Sequence, residues 1–78
     1  MTQKIAVIVE GGIVQSVVTN DEALIGQKIL IIDYDIDGCD LDKITAIDQG
    51  DGTTVDAYVY GGVTSIERAA IDLDKIDE

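Results

Sequence analysis

The residues whose types and spacing could do chemistry lie together in Asp33-x-Asp35-x-Asp37-Gly38. Oxygens at positions 1, 3 and 5 with glycine at position 6 form the first half of a calcium-loop signature, in which the carboxylates converge on the ion and the glycine makes the sharp turn. The second half departs from the pattern. Position 12, where a bidentate Glu closes the shell, is Ile44, so Asp40 or Asp42 would have to substitute. Calcium held by Asp33, Asp35 and Asp37 is therefore an alternative reading, and apart from it no cofactor is expected. The plainer reading is that alternating Asp ends a strand and places its carboxylates in water.

Catalysis finds less support. The chain has no His for general-base work and hence no Ser-His-Asp set. Its one cysteine, Cys39, sits between Gly38 and Asp40 amid carboxylates that repel an anionic nucleophile, and it has no partner for an internal disulfide. The diglycines Gly11-Gly12 and Gly61-Gly62 lack the lysine and the helix that a phosphate loop needs. Acids are so abundant that no single carboxylate pair stands out for hydrolysis. The expectation is a protein that is not an enzyme.

Strands are the elements expected to position the acids. Lys4 to Glu10 is apolar on both faces, Gly11-Gly12 supplies a two-residue hairpin loop, and Ile13 to Thr19 returns as a strand that Gln15, Ser16 and Thr19 mark as the more exposed. Asn20 to Gly26 reads as one capped helical turn with a glycine stop. Lys28 to Tyr34 begins with four aliphatic residues and reads as a strand covered on both faces, running straight into the acidic stretch. A short turn at Asp40 to Ile44, an edge strand at Thr45 to Asp48 and the loop Gln49 to Gly52 come next. Thr54 to Tyr60 alternates Val55, Ala57 and Val59 against Asp56, Tyr58 and Tyr60, a half-buried strand with tyrosines on its wetter face.

After Gly62 the period changes. Ile66, Ala69, Ala70, Leu73 and Ile76 draw one apolar stripe, which predicts a helix from about Ser65 to Ile76. Asp72, Asp74, Asp77 and Glu78 oppose its dipole and predict fraying at that end. The competing reading makes Val63 to Ile66 the return strand of a second hairpin. The fold expected is α+β: a single small acidic domain over residues 1–78, with a mainly antiparallel sheet of four or five strands and this C-terminal helix on one face. The other face then leaves Ala6, Ile8, Leu30 and Ile32 without cover, and a homodimer is the simplest remedy.

Read together, IAVIVEGGIVQSVV, IIDYDIDG and QGDGTTVDAYVYGG resemble a group of short, uncharacterised prokaryotic proteins. These open with a V-x-V-E-G-G-x-V-Q-x-V hairpin and continue to a D-Y-D acidic turn. The resemblance covers most of the chain through Gly62. It implies no activity and carries no catalytic or binding residues with it.

The 78 residues hold 16 acids against 5 bases, a net charge of −11. A chain of this length buries only roughly 60% of the surface its unfolded form exposes. Charge of this sign argues against direct contact with nucleic acid or an anionic membrane and favours a basic protein surface. The apolar run at the start, Ile5 to Val9, is too short for a secretory signal, and no stretch approaches the ~20 residues of a membrane span, so the expected compartment is the cytoplasm. Asp33, Tyr34, Asp35, Asp37, Asp40, Asp42, Asp56, Tyr58 and Tyr60 are the expected partner-binding residues. The favoured function is a small acidic binding module that imitates nucleic acid and inhibits a basic, nucleic-acid-handling protein. Small inhibitors made by phages and other mobile elements are similar in size and charge, by analogy only. The opposing reading is an accessory domain whose charge serves solubility.

Overall fold

The computed structural model describes residues 3–76. Asp77 and Glu78, from the acidic cluster expected to fray a helix end, lie outside the described residues. Backbone contacts divide the chain into two compact units, one from Met1–Ile29 with Val63–Glu78 and the other from Leu30–Gly62. Each holds a three-stranded sheet.

In the first unit, β1 (Ile5–Glu10) and β2 (Ile13–Thr19) form the expected antiparallel hairpin. Its loop is Gly11-Gly12 with φ of 61° and 77°, the pair of positive values that a twist-matched two-residue turn demands and that only glycine adopts without strain. Ile8 opposes Ser16 and Val9 opposes Val14, so Gln15 is an extra residue that bulges β2. The expected turn after β2 is the 3-10 turn Glu22–Leu24, capped by the Asp21 side chain on Ala23 N–H and followed by Gly26 at φ 86°.

The α+β expectation fails after Gly62. Among the described residues there is no α-helix. Where a helix was expected from Ser65 to Ile76, the chain runs extended through β6 (Glu67–Arg68), parallel to β2, and then makes a 3-10 turn at Leu73–Lys75. The extended segment is bonded on both sides. Ala69 N–H donates to Thr19 C=O at 3.0 Å on one side, while on the other Gly26 N–H donates to Ile66 C=O at 2.8 Å and Ile66 N–H to Gln27 C=O at 2.9 Å. The second-hairpin alternative fails too, because the partners of this segment are β2 and residues 26–29. A short isolated helix is marginal in water, and one ending in acids works against its own dipole, so pairing with two preformed neighbours wins.

Of the apolar stripe, Ile66 and Leu73 are buried; Ala70 and Ile76 are exposed. The buried residues of this unit are Val17, Val18, Ile66 and Leu73, together with Thr19, which is fully buried. Burying those four large side chains contributes about 1.5–3 kcal/mol each. The expectation that β2 is the more exposed strand is therefore reversed at its end. Thr19 can lie inside because its hydroxyl donates to Lys4 C=O at 2.8 Å and accepts from Asp21 N–H at 3.1 Å. On β1 the half-buried face is Ala6 and Ile8, continued by Lys4 just before the strand, and the uncovered one is Ile5, Val7 and Val9.

The second unit orders its strands β3-β5-β4, all antiparallel: β3 (Ile32–Asp33), β4 (Ile44–Asp48) and β5 (Thr54–Val59). The Lys28 to Tyr34 strand shrinks to two residues, and its run is not covered on both faces, since Leu30 is 77% exposed. The run is shared between partners. Ile29 N–H donates to Thr64 C=O in the first unit, and Ile31 C=O accepts from Tyr60 N–H in the second. The edge strand near Thr45 to Asp48 and the central strand Thr54 to Tyr60 form as expected, with Ala57 fully buried.

Candidate functional site

The second unit carries eight aspartates, at 33, 35, 37, 40, 42, 48, 51 and 56, against one base, Lys43. Both ion pairs of the described residues, Arg68 with Glu22 at 3.3 Å and Lys75 with Asp72 at 3.9 Å, belong to the first unit. The eight carboxylates of the second unit thus meet no cation among the described residues, and all but the half-buried Asp33 are exposed.

Strand register decides which of them share a face. Asp33 and Ile44 both oppose Tyr58, Ala46 opposes Asp56, and Asp48 opposes Thr54. Opposed residues point the same way and alternate residues share a face. One face therefore holds Asp33 on β3, Asp56 on β5 and Asp48 on β4, each one strand over and one row along from the last. Ideal sheet spacings put successive members of this diagonal about 8 Å apart. Tyr58 and Tyr60 share the face, half-buried, their rings edge to face with centroids 4.9 Å apart. The diagonal's third member, Asp48, is not among the residues expected from sequence. Its signal was the loop: folding Thr45 to Asp48 back on Thr54 to Tyr60 puts Asp48 two rows from Tyr58.

The remaining expected residues take other positions. Tyr34, half exposed, follows Asp33 and so turns away from that face; its hydroxyl accepts from Gln49 Nε2 at 3.3 Å. Asp35 and Asp37 lie in the turn after β3. Asp33 Oδ1 accepts from Asp35 N–H at 2.9 Å and Asp35 Oδ1 from Asp37 N–H at 3.4 Å, so the spacing of two gives successive Asx turns. Gly38, at φ 80°, closes the turn in which Cys39 N–H donates to Ile36 C=O. Among the described residues no three His, Cys, Asp or Glu side chains are grouped to hold a metal ion. Asp40 and Asp42 are exposed on the 3-10 turn Leu41–Lys43, where Asp40 makes no side-chain cap.

The β4–β5 loop is the most tightly bonded part of this surface. Asp48 Oδ1 accepts from Gly50 N–H at 2.8 Å, and Asp51 Oδ1 from Thr53 N–H at 2.9 Å and Thr53 Oγ1 at 2.6 Å. The Thr53 hydroxyl, with the Thr53 amide second, holds the Asp51 carboxyl below its ordinary value.

This is an all-β chain with an exposed acidic sheet face. Set against known protein families, curated proteins and solved structures, it finds no match in any of the three. None of the described helical segments is long and apolar enough to cross a membrane.

Proposed function

We propose that this chain is a non-enzymatic acidic binding module of the cytoplasm, whose Leu30–Gly62 unit docks on a basic protein surface that otherwise holds nucleic acid. The observation that carries the reading is the diagonal of Asp33, Asp56 and Asp48, spaced by a hydrogen-bonded sheet and matched by no cation of its own unit. Charges fixed at regular intervals on a rigid support imitate a phosphate backbone and need little reorganisation on binding. They also speed encounter with a positive groove. The half-buried pair Tyr58 and Tyr60 beside the diagonal supplies apolar contact at low entropic cost.

Pull-down from a bacterial lysate at low and then moderate salt tests this. The expected result is retention of one or two basic, nucleic-acid-handling proteins, their release by short duplex DNA, and their loss when Asp33, Asp48 and Asp56 are changed together to Asn. The set Asp35, Asp37, Asp40 and Asp42 changed to Asn should weaken retention by removing steering. Retention that DNA does not compete, or that survives both Asn sets, would sink the proposal.

A further inference from the structure

Sheet order in the first unit is β1-β2-β6, so β1 has an open edge among the described residues. Lys4 shows which peptide groups face it. Its N–H donates to Asn20 Oδ1 at 2.9 Å and its C=O accepts from Thr19 Oγ1, so both turn toward β2. Peptide direction alternates along a strand, and those of Ile5, Val7 and Val9 therefore turn to the open edge. The same three residues carry uncovered side chains, 54%, 57% and 57% exposed. From Ile5 to Val9 there is no charge, proline or glycine to blunt the edge, which is how strands are ordinarily kept from pairing with other chains.

We propose that β1 pairs antiparallel with β1 of a second copy of this chain, about a two-fold axis at Val7, fusing two three-stranded sheets into one. In this register Val7 faces Val7 and Ile5 faces Val9, so the outward peptide groups bond in pairs and the exposed aliphatic side chains adjoin. Charge selects the register. Lys4 of each copy lies opposite Glu10 of the other; sliding by two residues keeps the backbone polarity but leaves Lys4 opposite Ile8 or Gly12. Lys4 Nζ already donates to Leu73 C=O at 2.9 Å and Ile76 C=O at 2.8 Å, and its third N–H is the one directed to Glu10. At the sheet's other side, the segment entering β6 is already bonded by residues 26–29, so pairing closes at a dimer and does not run on into a filament.

Sedimentation at roughly 0.15 M salt, where the Debye length of about 8 Å screens the net charge, should show a dimer at micromolar concentration. Amides of Ile5, Val7 and Val9 should gain exchange protection as concentration rises. Val7→Pro should remain folded and become monomeric, because the missing N–H points away from β2. Glu10→Lys should weaken the dimer by on the order of tenfold, and mixing it with Lys4→Glu should restore association. A monomer at every concentration, or an unaltered dimer in folded Val7→Pro, overturns the proposal. Should Val7→Pro not fold, an isotopically mixed wild-type sample decides: contact between Ala6 Hα of one copy and Ile8 Hα of the other is expected, and a dimer lacking it refutes the pairing.

Discussion

Replacing Thr19 by valine deletes one hydroxyl and leaves the side-chain volume almost unchanged. That hydroxyl is the fully buried link between the ends of the first hairpin, donating to Lys4 C=O and accepting from Asp21 N–H. Each bond contributes about 1–1.5 kcal/mol net. The added methyl returns less than about 1 kcal/mol. A loss of about 2 kcal/mol results, which for a chain of this size lowers Tm by roughly 10 °C. Thr19→Ser is the control, since it keeps the hydroxyl and gives up one fully buried methyl, costing about 1 kcal/mol. Urea unfolding followed through the amide signals of Val17 and Val18 reports this unit directly; tyrosine emission does not, because Tyr34, Tyr58 and Tyr60 all lie in the other unit. If the valine variant proves more stable than the serine variant, packing and not hydrogen bonding justifies a polar residue in this core, and the reasoning fails.

Two further outcomes follow, one in each unit. Leu73→Ala, at a side chain 3% exposed, should cost about 2–5 kcal/mol in the same urea experiment, whereas Ile76→Ala at an exposed position should cost little. Asp51 should titrate below 3.8 in the folded protein and return toward it in Thr53→Ala, read from its carboxyl carbon. A depressed folded pKa means that the loop's contribution is complete above the unfolded value and is lost as pH falls through the folded one.

How much of this could be read from the sequence depended on the range of the forces that decided each element. Gly11-Gly12, Asp21 with Gly26, and Gly50 and Gly52 act within a few residues, and the hairpin, the capped turn and the β4–β5 loop form where their local chemistry puts them. The segment after Gly62 was misread because its helical stripe is local while its true partners, β2 and residues 26–29, are tens of residues distant. Lys28 to Tyr34 misled for a related reason: four aliphatic residues imply one buried strand only if one sheet receives them all, and here the run divides its backbone bonds between the two units. Thr19 was misplaced by its polarity, which two hydrogen bonds neutralise. In the candidate site, the residue types were legible, but the diagonal needed the register, and with it came Asp48.

The parallel pairing of β2 with β6 makes the first unit discontinuous in sequence, with Leu30–Gly62 as an insert between its two pieces. During synthesis the insert is complete, with all its strand partners, before β6 has been made. The first unit has to wait with Ile66 and Leu73 unmade and its buried threonine only partly enclosed. A released fragment ending shortly after Gly62 should therefore hold every strand of the acidic face while the hairpin's unit is left unfinished. Because closing a loop costs only slowly more as it lengthens, the host can accept inserts of other lengths at nearly the same cost. Such an arrangement lets the insert change in length while the strands on either side of it in sequence keep their pairing.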